Sequence, residues 1–395
     1  MDNATLILTI AGAIASIIGI IFAIFSHLSS SKKIERLEKE IERITKDVPI
    51  HASTQLDPIY PPTISDEDSK ILDKIDKVIK NIIPIIDIVS LIKIGNLEAS
   101  QYNYDKALLY YRVAIERAKE IGDREAEASA LVNSGNIFKN KGKLDMALRY
   151  YEESLKISKE NGDKNGEAIS SGNIGNIYYK KNELDIALTY YKNSLKIAKE
   201  VGNRKTEADQ LGNIGIIYQE IPKYDLALKY HEDSFKIAKE IGNKEIEANQ
   251  LTNIGKIHYE KGDFDKALKK AKDALKIYKE IGNRKGEAET MGKIGLIYQQ
   301  IRYFDKALKF SKDALEIAKK IGDKETEVIQ TGNIGSVHGN KGELETSLKY
   351  SKKALKMHME TGIEIGKSKV IKNIAKAEAE LKKKKKNNPP PKSRP

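Results

Sequence analysis

Cysteine is absent from the 395-residue chain, which excludes disulfides, thiolate metal sites and a cysteine nucleophile while leaving the compartment open. Tryptophan is absent as well. There is no glycine-rich loop ending in the lysine of a phosphate cradle, no nucleophile elbow and no HExxH pair. The six histidines are scattered without metal-ligand spacing. The expectation is a chain without catalysis, cofactor or bound metal.

What the sequence does contain is a period. The stretch from Ile169 to Glu207 has near-copies on both sides at an offset of forty residues, the signature of a repeat array. Gly95, Gly135, Gly175, Gly215, Gly255, Gly295 and Gly335 share one slot, and twelve residues later a small residue recurs from Ala107 to Ala307 and ends at Ser347. Each copy reads as two helices. Ile174, Ile177 and Tyr178 give the apolar stripe of the first, and Leu184, Ala187, Leu188, Tyr191, Leu195 and Ala198 that of the second. Glycine inside a helix costs about 1 kcal/mol against alanine. Seven in one register imply close helix contact, with Tyr178 and Tyr191 interlocking over Gly175 and Ala187. Stacked hairpins then bury a core that neither helix could bury alone.

The hinges between copies are equally regular. Gly122, Gly162, Gly202, Gly242, Gly282 and Gly322 suit left-handed helix ends. The Asp or Asn after each can cap the next helix, and Glu127, Glu167, Glu207, Glu247, Glu287 and Glu327 sit where a carboxylate complements the helix dipole. The same dipole argument covers the acidic series from Asp105 to Asp305 at the starts of the second helices.

Glycine, an aromatic three residues on, alanine nine further and an aromatic four beyond, as in Gly175, Tyr178, Ala187 and Tyr191, resemble the tetratricopeptide-repeat pattern. The forty-residue period, the GNIGNIY run at Gly172 to Tyr178 and the KEIGDR-like hinges look like the long-repeat branch of kinesin light chains and spindle-orientation adaptors. The resemblance covers residues 88–367 and implies an all-α solenoid, a right-handed superhelix of about seven helix-turn-helix repeats with a concave peptide-binding groove. The usual first aromatic of such a repeat is replaced here, since tryptophan is absent, and His258 and His338 take the slot of Tyr178 and Tyr218 as packing substitutes.

The flanks carry the remaining signals. Within residues 1–31, Leu6 to Phe25 is an uncharged apolar run long enough to span a bilayer, followed by Lys32, Lys33, Arg36 and Lys39. The start MDNAT lacks the basic region of a cleaved signal, so an uncleaved single-pass anchor is expected, with the N-terminus outside and the repeats cytoplasmic. Ala11, Ala15, Gly19 and Ala23 form a small-residue face, and residues 32–48 carry two heptads of a coiled-coil stalk. Together they point to a homodimer, against the plainer reading of a lipid-facing span and one charged helix. Residues 49–64 form a proline-rich linker, 65–87 a leader helix, and 368–386 a capping helix in which Ile371, Ile374, Ala375 and Leu381 cover the last hairpin. Lys382 to Lys386 and the final stretch, residues 387–395, lack apolar periodicity and are expected to be disordered. Of the net charge of +12, Gly366 to Pro395 hold +9, eleven Lys or Arg against Glu378 and Glu380, so the basicity belongs to the tail. With no aromatic platform there, nucleic acid is not expected as a partner.

The informative polar series is Asn133, Asn173, Asn213, Asn253 and Asn333 in the first helices, interrupted by Lys93 and Lys293. In the resembled family this slot faces the groove and its amides grip a peptide backbone. Read from the residues alone, it serves equally well for hydrogen bonding between helices. Asn136, Asn176 and Lys256 join it as candidate groove residues, and Asp209 and Glu289 add negative charge. The chaperone-tail clamp of some tetratricopeptide proteins needs a lysine one residue before the asparagine slot. This chain has Val132, Gly172, Gly212, Thr252, Gly292 and Gly332 there, which argues against that ligand. Glycine at four of these places is expected to leave room for a ligand's backbone. The chain is thus expected to be a membrane-anchored scaffold for a protein or peptide partner, or alternatively a sensory module that changes conformation on binding.

Overall fold

A computed structural model describes residues 87–387. The anchor, stalk, linker and leader expected before Asp87, and the tail after Asn387, lie outside the described residues. Among the described residues there are fifteen α-helices and no strands, α1 (Ile88–Ser100), α2 (Tyr104–Ile121), α3 (Arg124–Asn140), α4 (Leu144–Glu160), α5 (Lys164–Lys180), α6 (Leu184–Glu200), α7 (Arg204–Glu220), α8 (Tyr224–Glu240), α9 (Lys244–Glu260), α10 (Phe264–Glu280), α11 (Arg284–Gln300), α12 (Phe304–Ile321), α13 (Lys324–Asn340), α14 (Leu344–Thr361) and α15 (Lys367–Asn387). Odd-numbered helices are the first of each repeat and even-numbered ones the second. The described residues divide into two compact units, with the boundary between Ser170 and Ser171.

In the first unit, α1 and α2 form one hairpin and α3 and α4 the next. Tyr111 and Tyr151, both almost wholly buried, lie over Gly95 and Gly135. The phenolic hydroxyls then donate to Asn96 Oδ1 at 2.7 Å and Asn136 Oδ1 at 2.8 Å, so each ring is held at both ends.

The second unit repeats this arrangement with Tyr191 over Gly175 and its hydroxyl donating to Asn176 Oδ1 at 2.8 Å. Later repeats keep the glycine and change what meets it. His231 faces Gly215, Ala271 faces Gly255, and Ser311 and Ser351 face Gly295 and Gly335. A second contact pins the hairpins other than α9–α10 one turn away, where Tyr178 stacks on Tyr190, Tyr218 on Tyr230, Tyr298 on Phe310 and His338 on Tyr350 at centroid distances of 5.4–5.6 Å. Within the second unit first helices of successive repeats also touch, α7 on α9, α11 on α13 and α13 on α15, and give that unit its wall.

Each hinge is built by its own residues. Gly202, Gly242, Gly282 and Gly322 sit at φ between 67° and 72°, the left-handed region where a side chain is strained. Asn203 and Asn243 accept from the backbone N–H three residues on at 3.0 and 3.1 Å, and the equivalent Asp123 of the first unit does so at 3.0 Å. The glutamates one turn later do more than face a dipole. Glu127, Glu207 and Glu327 are 9% exposed or less, each paired with a cation three residues earlier, Arg124 at 2.7 Å, Arg204 at 2.6 Å and Lys324 at 2.9 Å. The acidic starts of the second helices likewise pair across repeats, as in Lys261 with Asp225 and Lys341 with Asp305, both at 2.9 Å.

The C-terminal cap differs from expectation in two respects. Val370 and Ala377 are its buried residues, whereas Ile371 is 48% exposed and Ala375 is also exposed. Helix α15 keeps the forty-residue register and docks as an eighth first helix, with Val370 over Gly332. Ile371 and Ala375 occupy the slots that elsewhere meet the second helix of the same repeat, and no such helix follows among the described residues. The helix also runs on through the lysines to Asn387, because lysine is a good helix former and nothing breaks the helix before Pro389.

The glycine slot makes a graded prediction. An added Cβ at Gly175 would lie 2.6 Å from the Tyr191 ring, whereas at Gly255 the nearest atom, the Ala267 carbonyl oxygen, is 3.3 Å away. Gly175→Ala should therefore cost about 1–3 kcal/mol by overpacking. Gly255→Ala should be near neutral, because a helix-propensity gain of up to about 1 kcal/mol offsets a small shift. Urea unfolding of the two variants checks this ordering.

Candidate functional site

The wall made by the first helices carries the candidate residues. In the first unit Asn133 is half-buried on α3 with no hydrogen-bond partner among the described residues, and Lys93 on α1 is exposed. In the second unit, described by itself, the same repeat slot holds Asn173, Asn213, Asn253, Lys293 and Asn333. Asn373 on α15 extends it one step beyond the series read from the sequence, although its offset of forty from Asn333 was visible there. Its Nδ2 is buried without a partner.

None of these amides is bonded to another helix among the described residues. Asn213 and Asn333 donate along their own helices to Gln210 Oε1 and Gln330 Oε1, both at 3.3 Å, while Asn173 and Asn253 are half-buried with no such bond. Asn136 and Asn176, grouped with the ladder in the sequence, are placed differently. Their carbonyl oxygens are occupied by the tyrosine hydroxyls.

The glycines preceding the ladder do not open the wall to a ligand backbone, which corrects the expectation. An added Cβ on Gly172 would meet Gln210 Nε2 at 2.6 Å, one on Gly212 would meet Gln250 Nε2 at 2.7 Å, and Gly292 faces Gln330 in the same way. The glutamine of the next repeat fills each of these three notches, and Val370 fills that of Gly332. These side chains are 3–6% exposed, so an amide laid flat on a bare backbone locks successive first helices at a fixed spacing. Sequence reasoning passed over them because the two halves of the lock lie 38 residues apart.

Charge on the wall is mixed. Lys293 replaces the amide, and burial pushes its ammonium below the ordinary lysine range, with Glu289 opposing and Lys256 adding to the shift. Lys256 lies 4.0 Å from Glu220. Asp209 is half-buried, and burial pushes its carboxyl up to about 6, with Lys205 opposing and Glu245 reinforcing. Among the described residues no group of three or more His, Asp or Glu side chains could hold a metal ion.

Behind the wall, His231 is fully buried, and its Nδ1 lies 2.8 Å from Gln250 Oε1. Burial pushes its pKa down from 6.5 to about 4, the Gln250 bond opposing and Lys256 adding.

A family model described as tetratricopeptide repeat matches residues 87–160, 126–200, 166–240, 208–280 and 246–320. A comparison with curated proteins found no match. Among solved structures, the chain is similar to a Signal Transduction ATPase with Numerous Domains carrying a tetratricopeptide repeat sensor, from Pyrococcus horikoshii. That likeness has 19% identity and a TM-score of 0.57 over 76% of this chain and 47% of that one, so this chain spans about half the length of that protein. It is also similar to the apo form of RapI, at 17% identity and a TM-score of 0.56 over 69% of this chain and 98% of that chain. A third likeness is to the APC/C hetero-tetramer Cut9-Hcn1, at 16% identity and a TM-score of 0.52 over 79% and 59%. Likeness at these identities speaks for the fold alone.

The His231 environment makes a pH prediction. A histidine whose folded pKa lies below its unfolded value contributes its stability fully above about 6.5 and loses it as pH falls toward about 4. Asp209 acts in the opposite sense over an overlapping range, so the comparison must be between variants. His231→Tyr with Ile216→Asn recreates the tyrosine and asparagine pair of the earlier repeats and keeps Asp209. Its stability relative to the parent should rise by about 2–3 kcal/mol between pH 8 and pH 4 in urea unfolding.

Proposed function

This chain belongs to the tetratricopeptide-repeat family, and on that premise we propose that it is a non-enzymatic scaffold that holds a protein or peptide partner along the wall of its first helices. The observation that carries this is the state of the ladder. Asn173 and Asn253 hold a donor and an acceptor at the surface of a packed wall, and no other helix uses them. An extended segment offers backbone N–H and C=O groups that match both. Lys256 and Lys293 beside Asp209 and Glu289 suit a ligand carrying charge of both signs.

The scaffold is held at a membrane in this reading. Its support is the uncharged run from Leu6 to Phe25 with the basic cluster after it, outside the described residues, within which no helix is long and apolar enough to cross a bilayer. The N-terminus is then outside, the repeats are cytoplasmic, and the anchor and stalk bring two copies together. A second reading, a sensory module, draws on the similarity to a protein whose repeats are described as a sensor. The two differ in whether the array changes shape when occupied, which scattering with and without partner separates.

Two outcomes test the proposal. Replacing Asn173, Asn213 and Asn253 together by alanine, a better helix former, should leave the melting temperature level or slightly raised. Proximity labelling from the full chain in cells should then lose its most enriched protein, since each lost bond costs about 0.5–1.5 kcal/mol of binding. A steep fall in melting temperature, or an unchanged labelling pattern, would return the ladder to a structural role. Separately, the chain should resist carbonate extraction, and its repeats should be shielded from protease added to intact cells. Release by carbonate would remove the anchor from the account.

A further inference from the structure

The second helices change character along the second unit. Helices α6 and α8 carry six lysines against six carboxylates, whereas α10, α12 and α14 carry fifteen lysines, no arginine and eight carboxylates. The excess is placed in register. Lys269 and Lys272, Lys309 and Lys312, and Lys349 and Lys352 occupy the same two slots on three successive second helices, three residues apart and therefore on one face, and all six are exposed. In α6 and α8 those slots hold Thr189, Lys192, Lys229 and Glu232, a net charge of +1 against +6 on the later three helices.

Within the fold these lysines are poorly compensated. Lys352 pairs with Glu378 at 2.9 Å, and Lys272 lies 5.9 Å from the Tyr298 ring centroid. The other four have no ion pair among the described residues, so the face repels itself and gains from an external layer of negative charge. Exposed apolar side chains stand at its C-terminal end. Met359, in the last turn of α14, is 75% exposed, and Ile365, in the loop to α15, is 60% exposed.

We propose that this face of α10, α12 and α14 docks on an anionic lipid headgroup layer, with Met359 and Ile365 entering the interface. Lysine supplies a strongly hydrated point charge that suits a fluid sheet of anions, whereas discrete phosphate or base recognition favours the planar fork of arginine, absent from all three helices. Within the three helices no aromatic ring is exposed, and the exposed ring next to them, Tyr303 at the N-cap of α12, is covered by the Lys306 ammonium at 5.1 Å. Apolar tips flanking a basic face are the pattern of interfacial binding. The surface is separate from the partner-binding wall and does not rest on the anchor, because the charge is fixed by the folded repeats.

Lysine acetylation footprinting tests this with the full chain mixed with vesicles of phosphatidylcholine alone or with about 30 mol% phosphatidylserine. With the anionic vesicles, Lys269, Lys309, Lys312 and Lys349 should react about threefold more slowly or less, and about 0.5 M salt should restore them. Lys196 and Lys236 on α6 and α8 should not change. Lys309→Glu with Lys312→Glu, two exposed positions, should abolish the protection of Lys269 and Lys349. The proposal is overturned by equal reactivity with both vesicles, by equal protection of Lys196 and Lys236, or by protection from homopolymer RNA but not from phosphatidylserine.

Discussion

The contact on which the rest of the structure depends is the one between a bare glycine on the first helix of each hairpin and the side chain sixteen residues later that lies over it. It sets how closely the helices approach, and it decides what the neighbouring wall position must do. Where the occupant is Tyr111, Tyr151 or Tyr191, the hydroxyl needs an acceptor, and Asn96, Asn136 and Asn176 supply it. Where the occupant becomes His231, Ala271, Ser311 or Ser351 no hydroxyl reaches that acceptor, His231 Nε2, Ser311 Oγ and Ser351 Oγ stay buried without a partner, and the paired position becomes Ile216, Lys256, Leu296 and Ser336. The chemistry of the wall in the later repeats, including the charge of Lys256, follows from a packing choice made behind it.

A second interlock acts between repeats. Laying Gln210, Gln250 and Gln330 on the glycines of the preceding repeats fixes the spacing of the first helices. It also uses the glutamines' own acceptors, for His231 in one repeat and for ladder amides in two others. Asn173 and Asn253, which make no such bond, therefore stand on a wall whose internal bonds are made by other residues. Amides held this way present donor and acceptor to a partner at little entropic cost.

Much of this was legible in the sequence because period and helix geometry are local. The hairpins, the glycine hinges and the caps at Asn203 and Asn243 follow from spacing within twenty residues. What escaped depended on contacts a full repeat away. The glycines before the ladder read as open space because nothing nearby in sequence could fill them. Glu207 read as a dipole partner although Arg204 stands three residues before it, because the same arginine is held by Glu240, 36 residues on, and the 7% exposure of Glu207 shows only in the fold. The cap was read by its most apolar residues, Ile371 among them, whereas docking follows the register and turns that side chain outward.

The central claim is that the ladder face, and no other, meets the partner. A photo-crosslinking benzoylphenylalanine placed at Asn253 on the wall, and in a second full-length chain at Lys236 on an exposed second-helix face, tests it in cells. The account predicts one discrete adduct from position 253 and none from position 236. An adduct from 236 with none from 253 would contradict it.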